Sequence, residues 1–221
     1  TLSSSSAASD VYKRQMPGGG RGFNFGTSDG YDFYLKMGPL PNANLKYLKN
    51  EIAFWNELMG HETYDAFWQA RNIRPHLKNI KPAVMTVGGW FDAEDLFGTL
   101  ETYRNVEKSS PGAYNTLVMG PWVHGGWSRT TGERLGDVRF GAKTSEFYRE
   151  NIEFPFFSYF LKGRTDPKLP EAYAFETGRN QWHTLDAWPP KTVQARSLYL
   201  SAGGRLVLDQ APTDTSSTAY D

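Results

Sequence analysis

The sequence predicts an α/β fold, with a helical segment ahead of a buried sheet and an antiparallel β segment behind it. Three observations carry that prediction. Residues 83–87 are a run of β-formers with the unbroken apolar character of a strand buried on both faces. The run breaks at Gly88-Gly89, and an acid, Asp92, follows at once. Residues 115–126 repeat the plan: an apolar strand, a break at Gly120, then His124 ahead of Gly125-Gly126. Beyond residue 166 the pattern changes to short alternating runs, which is antiparallel β patterning. In an open α/β sheet, residues just past the strands reach the carboxyl edge, where ligands bind and chemistry is done. Asp92 and His124 are therefore expected at one edge of one sheet.

Taken in order, residues 1–15 do not read like the rest. They are Ser/Ala-rich and lack periodicity, and without an apolar central region they are not a signal peptide. The stretch resembles a translated sequencing-adapter scar and is set apart from the fold. A Gly-rich loop follows over 16–30 and holds a formal G-x-S-x-G, from Gly26 through Ser28 to Gly30. That pattern is a nucleophile elbow only between a buried strand and a helix. No run of β-formers precedes it, so Ser28 and Asp29 read as turn or helix-cap residues.

Residues 31–79 read as helical. Tyr47, Leu48, Ile52, Trp55 and Met59 form an approximate i, i+4, i+8 stripe, and Tyr64, Phe67 and Trp68 begin another, with Thr63 placed to cap it. These aromatics read first as a helix-packing core, and His61 and His76 lack metal-ligand spacing. After Asp92, residues 94–107 predict a helix with Leu96, Phe97, Leu100 and Tyr103 on one face. Residues 144–161 predict another, in which Pro155 forces a kink or a restart, and Lys162-Gly163 closes it. From 166 on, the runs 172–176, 181–185 and 196–201 are separated by turns at Gly178, Trp188-Pro189-Pro190 and Gly203-Gly204. His183 falls in one of these strands as a sheet-face residue.

Composition narrows the function. The formal net charge is zero, which disfavours a nucleic-acid surface. No apolar run is long enough to span a bilayer, so no membrane partner is expected. Without Cys there is no thiol catalysis and no Cys-ligated zinc. Asp92 and His124 instead fit the last two places of a triad, where an acid holds the tautomer of a base that takes a proton from a nucleophile. Glu94 and Asp95 add two carboxylates beside Asp92. On physical grounds they read equally well as acids offsetting a helix N-terminal dipole or as the wall of a cation-binding pocket.

Three separated motifs now bear on the choice: residues 88–98 around Asp92, residues 120–126 around His124, and residues 156–163. In that order they resemble the CocE/NonD serine hydrolases, which include the X-Pro dipeptidyl-peptidases of family S15, and most of all the α-amino acid ester hydrolase and cephalosporin acylase branch. The resemblance implies the C-terminal part of an α/β-hydrolase domain with a helical cap, followed by the start of an all-β jelly roll. Residues 16–79 would be the cap portion, 80–165 the hydrolase portion and 166–221 a truncated jelly roll. Asp92 would be the catalytic acid and His124 the base, with Glu94 and Asp95 receiving a substrate α-ammonium group. No metal or cofactor is implied.

The resemblance also implies that the serine elbow and an oxyanion-hole tyrosine lie upstream of the cap, outside these residues. The chain alone is therefore expected to be an inactive piece of an enzyme acting on a small ester, an amide or a peptide. The resemblance allows a homo-oligomer at full length and a periplasmic or secreted location. An X-Pro dipeptidyl-peptidase or an esterase for bulky esters is the nearest alternative. A non-catalytic β binding module is the alternative from another class.

Overall fold

The structure is a computed structural model and describes residues 24–201 and 204–208. Residues 1–15, set apart above, and most of the Gly-rich loop lie outside that range, as does the chain beyond 208. Two compact units are distinguished, each described separately below. The first takes residues up to 82 together with 97–113, and the second takes 83–96 together with the chain from 114.

The first unit is built from short helices. Helix α1 (Gly30–Met37) starts where Asp29 accepts hydrogen bonds from the backbone N–H groups of Tyr31 and Asp32. Ser28 lies in the exposed bend just ahead of it. The G-x-S-x-G pattern is thus a helix-cap loop, and no strand precedes it among the described residues. Phe33 and Met37, one turn apart, bury together with Ala43 and are covered by Leu48 and Trp55.

The expected long stripe does not form one helix. A π-helical turn (Ala43–Leu48) is followed by Lys49 and Asn50, both at positive φ, and α2 (Ala53–Met59) then restarts. Two successive left-handed residues end the helical hydrogen-bond ladder, which is why the stripe is split. Helix α3 (Ala66–Gln69) is capped by Asp65 rather than Thr63, its carboxylate accepting from the Phe67 N–H. His61 places Nδ1 2.6 Å from Asp65 Oδ2 and stacks on Phe67. Helix α4 (Leu96–Ser109) joins this unit from residue 97.

The second unit carries a four-stranded sheet in the order β1 (Val84–Gly89), β2 (Asn115–Gly120), β5 (Ala172–Glu176), β6 (Gln181–Leu185). Strand β1 (Val84–Gly89) pairs in parallel with β2 (Asn115–Gly120) over their full lengths, Gly89 opposite Gly120. Every residue of β2 is buried, as its continuous apolar run requires for a central strand. A short helix α5 (Gly126–Arg129) and the two-residue strands β3 (Arg134–Leu135) and β4 (Val138–Arg139) follow.

The predicted helix around Pro155 is a composite. Helix α6 (Thr144–Tyr148) passes through a π-helical segment (Arg149–Glu153) into α7 (Phe154–Lys162), which has Pro155 in its first turn. Proline has no N–H to give and crowds the carbonyl four residues back, and the wider π register accommodates both. Gly163 closes α7 at φ +61°.

The C-terminal strands part from the purely antiparallel expectation. Strand β5 (Ala172–Glu176) runs parallel to β2 and continues the same sheet, and only its partner β6 (Gln181–Leu185) is antiparallel to it. The alternating β5 sequence does not reveal this, because burial on both faces comes from its neighbours. A separate hairpin of β7 (Leu198–Ser201) and β8 (Arg205–Leu208) is antiparallel.

The core of this unit joins Val118, Trp122, Tyr148, Ile152 and Tyr173. Val118 and Ile152 are fully buried, each stabilising the fold by about 1.5–3 kcal/mol. Trp122 is its hub, with ring centroids 5.6 Å from Tyr148 and 5.8 Å from Trp182. Its indole N–H donates to Thr144 Oγ1 at 2.9 Å, and that hydroxyl donates to the Gly132 carbonyl.

Candidate active site

The ends of β1 and β2 are drawn together by their backbones. Beyond Gly89 the chain turns, with the Asp92 N–H donating to the Gly89 carbonyl at 3.1 Å. The Trp90 N–H donates to the Gly120 carbonyl and the Phe91 N–H to the Trp122 carbonyl. Two loops that follow different strands are thereby stitched residue by residue. Gly88 and Gly89 lie inside the strand rather than in a turn, and Gly89 is needed for close approach. A Cβ there would sit 2.7 Å from the Trp122 carbonyl carbon and nearer still to its oxygen. The Trp90 indole N–H also donates to the Phe175 carbonyl at 2.8 Å, tying the loop to β5.

This arrangement places Asp92 and His124 in contact. Asp92 Oδ2 lies 3.0 Å from His124 Nδ1, and the Asp92 side chain is only 1% exposed. The other oxygen, Oδ1, accepts from the N–H groups of Glu94 and Asp95 at 2.9 and 3.0 Å. Burial alone would push the Asp92 carboxyl up. The Asp95 and Glu94 amides and His124 outweigh it and hold the group below its ordinary value. Asp92 is therefore an ionised acceptor fixed at both oxygens, and its contact favours the His124 tautomer with the proton on Nδ1.

The ring of His124 is 41% exposed at the side chain, and its Nε2 makes no hydrogen bond among the described residues. Arg129 donates to the His124 backbone carbonyl and holds the loop. Trp127 packs edge-on to the imidazole.

The remaining two acids divide. Asp95 is half-buried and brings Oδ2 to 3.7 Å from His124 Nδ1. Glu94 is exposed, and its carboxylate has no ion pair among the described residues. Both lie immediately ahead of α4, whose first turn itself holds no acid, a place where a carboxylate still offsets the helix dipole. Asp92, Asp95 and His124 bring ligand-type atoms within 4.8 Å of one another. Both Asp92 oxygens are already engaged, Oδ2 with His124 and Oδ1 with two backbone amides. His183, the third imidazole in hydrogen-bond contact with a carboxylate, pairs with Glu176 across β5 and β6 at 2.7 Å.

The lowered Asp92 value has a stability consequence. The unfolded carboxyl, with its ordinary value near 3.9, takes up a proton before the folded one does. The stabilisation is therefore present above that value and is lost as the pH falls through the depressed folded one. The resistance of the chain to urea unfolding is expected to weaken below about pH 4. Asp92→Asn should flatten that dependence, and identical pH slopes in the two chains would contradict the assignment.

Comparison with known proteins gives the following. The model of the X-Pro dipeptidyl-peptidase (S15) family matches residues 6–126, just over half of the chain and inclusive of Asp92 and His124. Among solved structures, the chain is similar to an aminopeptidase from a marine sediment archaeon, Thaumarchaeota archaeon. That match has 33% identity and a TM-score of 0.74, and covers 81% of this chain and 30% of the aminopeptidase. It is also similar to an α-amino acid ester hydrolase, with 29% identity and a TM-score of 0.77, covering 89% of this chain and 34% of that one. The chain thus spans about a third of the length of these two proteins. No curated protein sequence matches it.

Proposed function

The chain belongs to the X-Pro dipeptidyl-peptidase (S15) family, and from that premise we propose that the full-length protein is a serine hydrolase cleaving α-amino acid esters or the related amides. The observation that carries this reading is the 3.0 Å contact between a buried, doubly anchored Asp92 and Nδ1 of His124, whose Nε2 is left free to exchange a proton. A serine hydroxyl attacks the acyl carbon and passes its proton to His124 Nε2. Asp92 holds the Nδ1–H and stabilises the imidazolium that forms. His124 then gives the proton to the departing alkoxide or amine, and a water molecule repeats the sequence to free the acid. The serine comes from residues other than those described here, because Ser28 lies in an exposed bend ahead of the Asp29-capped helix and no hydroxyl bonds Nε2 among them. On this reading the described residues hold acid and base without a nucleophile, and the chain by itself does not turn over ester.

In the same proposal residues 16–79 are the cap portion and 80–165 the hydrolase portion. The chain from 166 leads into a jelly roll, with β5 and β6 extending the hydrolase sheet on the way.

Glu94 and Asp95 bind the substrate's α-ammonium group. Glu94, exposed and without an ion-pair partner among the described residues, is the better test. In the full-length protein, Glu94→Gln should cost about 1.5–3 kcal/mol in kcat/KM on a phenylglycine ester, the scale of a hydrogen bond to a charged group. An acetyl ester should be little affected. Equal losses on both substrates would reject the ammonium role.

A second reading, hydrolysis of Xaa-Pro peptides, is favoured by the family match and by the similarity to an aminopeptidase. A peptide's free N-terminus carries the same ammonium group, so the same acids serve. Relative turnover of an Xaa-Pro anilide and a phenylglycine ester decides between the two.

A further inference from the structure

We infer that Asp95 is a second carboxylate partner of His124, a positioning residue that backs up Asp92 in fixing the proton on Nδ1; the inference rests on the acid–base reading just given. Two carboxylates converge on one ring nitrogen. Asp92 Oδ2 stands at 3.0 Å and Asp95 Oδ2 at 3.7 Å from Nδ1. The nearer makes the hydrogen bond. The farther is beyond hydrogen-bond range but inside ion-pair range, and its charge bears on the same proton.

The local chain explains the convergence. Asp92 Oδ1 accepts from the Asp95 N–H at 3.0 Å, which wraps the 92–95 turn around the Asp92 carboxylate. That turn brings the Asp95 side chain back toward the ring that Asp92 touches. Asp95 is 30% exposed at its side chain, against 1% for Asp92. It therefore has room to close the remaining gap if the nearer oxygen is removed. Among the described residues the charged groups facing the imidazole are these two acids, and Arg129 reaches only backbone carbonyls, those of His124 and Gly125.

A base needs its lone pair on Nε2, so the proton must sit on Nδ1. With one acceptor, loss of that acceptor frees the ring to change tautomer. With two, the second retains the productive form in part. Asp95 thereby has a task in addition to the ammonium binding it shares with Glu94, whose carboxylate has no contact with the ring among the described residues.

The test is the tautomer of His124 in the 221-residue chain, read from its ring nitrogen shifts by NMR at a pH where the imidazole is neutral. The resonance is assigned by its loss in His124→Gln. Asp92→Ser removes the nearer carboxylate yet keeps an oxygen for the Glu94 and Asp95 amides. In that chain His124 should remain mainly Nδ1-protonated. Adding Asp95→Asn should move the tautomer ratio by about tenfold toward Nε2–H, the scale of a lost interaction with a charged group. Adding Glu94→Gln instead should leave the ratio unchanged.

If Asp92→Ser alone switches the ring as fully as the double variant does, the role of Asp95 is overturned and the Asp92–His124 pair stands. If the ring of the unmutated chain is not Nδ1-protonated, the acid–base reading itself fails. Should the serine variant not fold, judged by its backbone amide spectrum, the same comparison in an Asp92→Ala background decides between the same outcomes.

Discussion

Asp92→Asn in the full-length protein should lower kcat by about four orders of magnitude, the size of effect a triad acid shows when the wrong tautomer is imposed. The structure gives a specific reason to expect a near-complete loss. Asn is isosteric with Asp, but one end of its amide accepts hydrogen bonds and the other donates. The Glu94 and Asp95 N–H groups both point at the Oδ1 position and demand an acceptor there. The amide oxygen is therefore held at that end, and the NH2 group is forced to the other, 3.0 Å from His124 Nδ1. A donor now faces that nitrogen. The ring must turn its Nδ1 lone pair to the amide and carry its proton on Nε2, where the serine proton has to go.

Asp95 does not rescue this variant, because the intruding NH2 group occupies the place from which its carboxylate would act. The loss should fall on kcat with KM little changed, since Asp92 is buried and out of reach of substrate. Steady-state kinetics on an α-amino ester would check it. A loss smaller than tenfold would mean that Asp92 does not hold the tautomer, and the proposed mechanism would lose its acid.

The contrast between Asp92 and the C-terminal strands shows what a single sequence makes legible. Strand, glycine break and acid lie within one short window, so local pattern suffices to place Asp92 at a strand end. His124 is equally local to β2. Their meeting is a matter of register, and parallel pairing of Gly89 with Gly120 brings it about. The sheet position of β5 was not legible, because it depends on pairing with a strand more than fifty residues earlier. The helical stripe of residues 47–59 failed for the opposite reason. Its periodicity was real, but two left-handed residues, Lys49 and Asn50, interrupted it without a glycine or proline to announce them. The 3.7 Å approach of Asp95 to His124 had no sequence signal beyond its nearness to Asp92, since side-chain direction within a turn is set by the hydrogen bonds of that turn.

Gly89→Ala is the stability change with the largest expected effect, and its cause lies in backbone rather than side-chain packing. The added Cβ would stand 2.7 Å from the carbonyl carbon of Trp122, closer than real contacts allow. A flexible side chain could swing aside, but a carbonyl fixed in a loop cannot. Relief requires the end of β1 to move away from the segment after β2. That movement breaks the bonds from Trp90 N–H to the Gly120 carbonyl and from Phe91 N–H to the Trp122 carbonyl. Overpacking costs about 1–3 kcal/mol, and each broken bond about 0.5–1.5 kcal/mol. A destabilisation of about 2–6 kcal/mol in urea unfolding is expected on that basis. Gly30→Ala is the control, because a Cβ there meets nothing within 4 Å and the position begins a helix, where alanine is favoured. The same displacement should separate Asp92 from His124, so the Nδ1–H resonance of His124 should lose its hydrogen-bonded shift even where the variant remains folded. A Gly89→Ala chain as stable as the Gly30→Ala control, with that resonance intact, would show that the two strand ends are not locked by this contact. The alignment of acid and base would then have to come from their side chains alone.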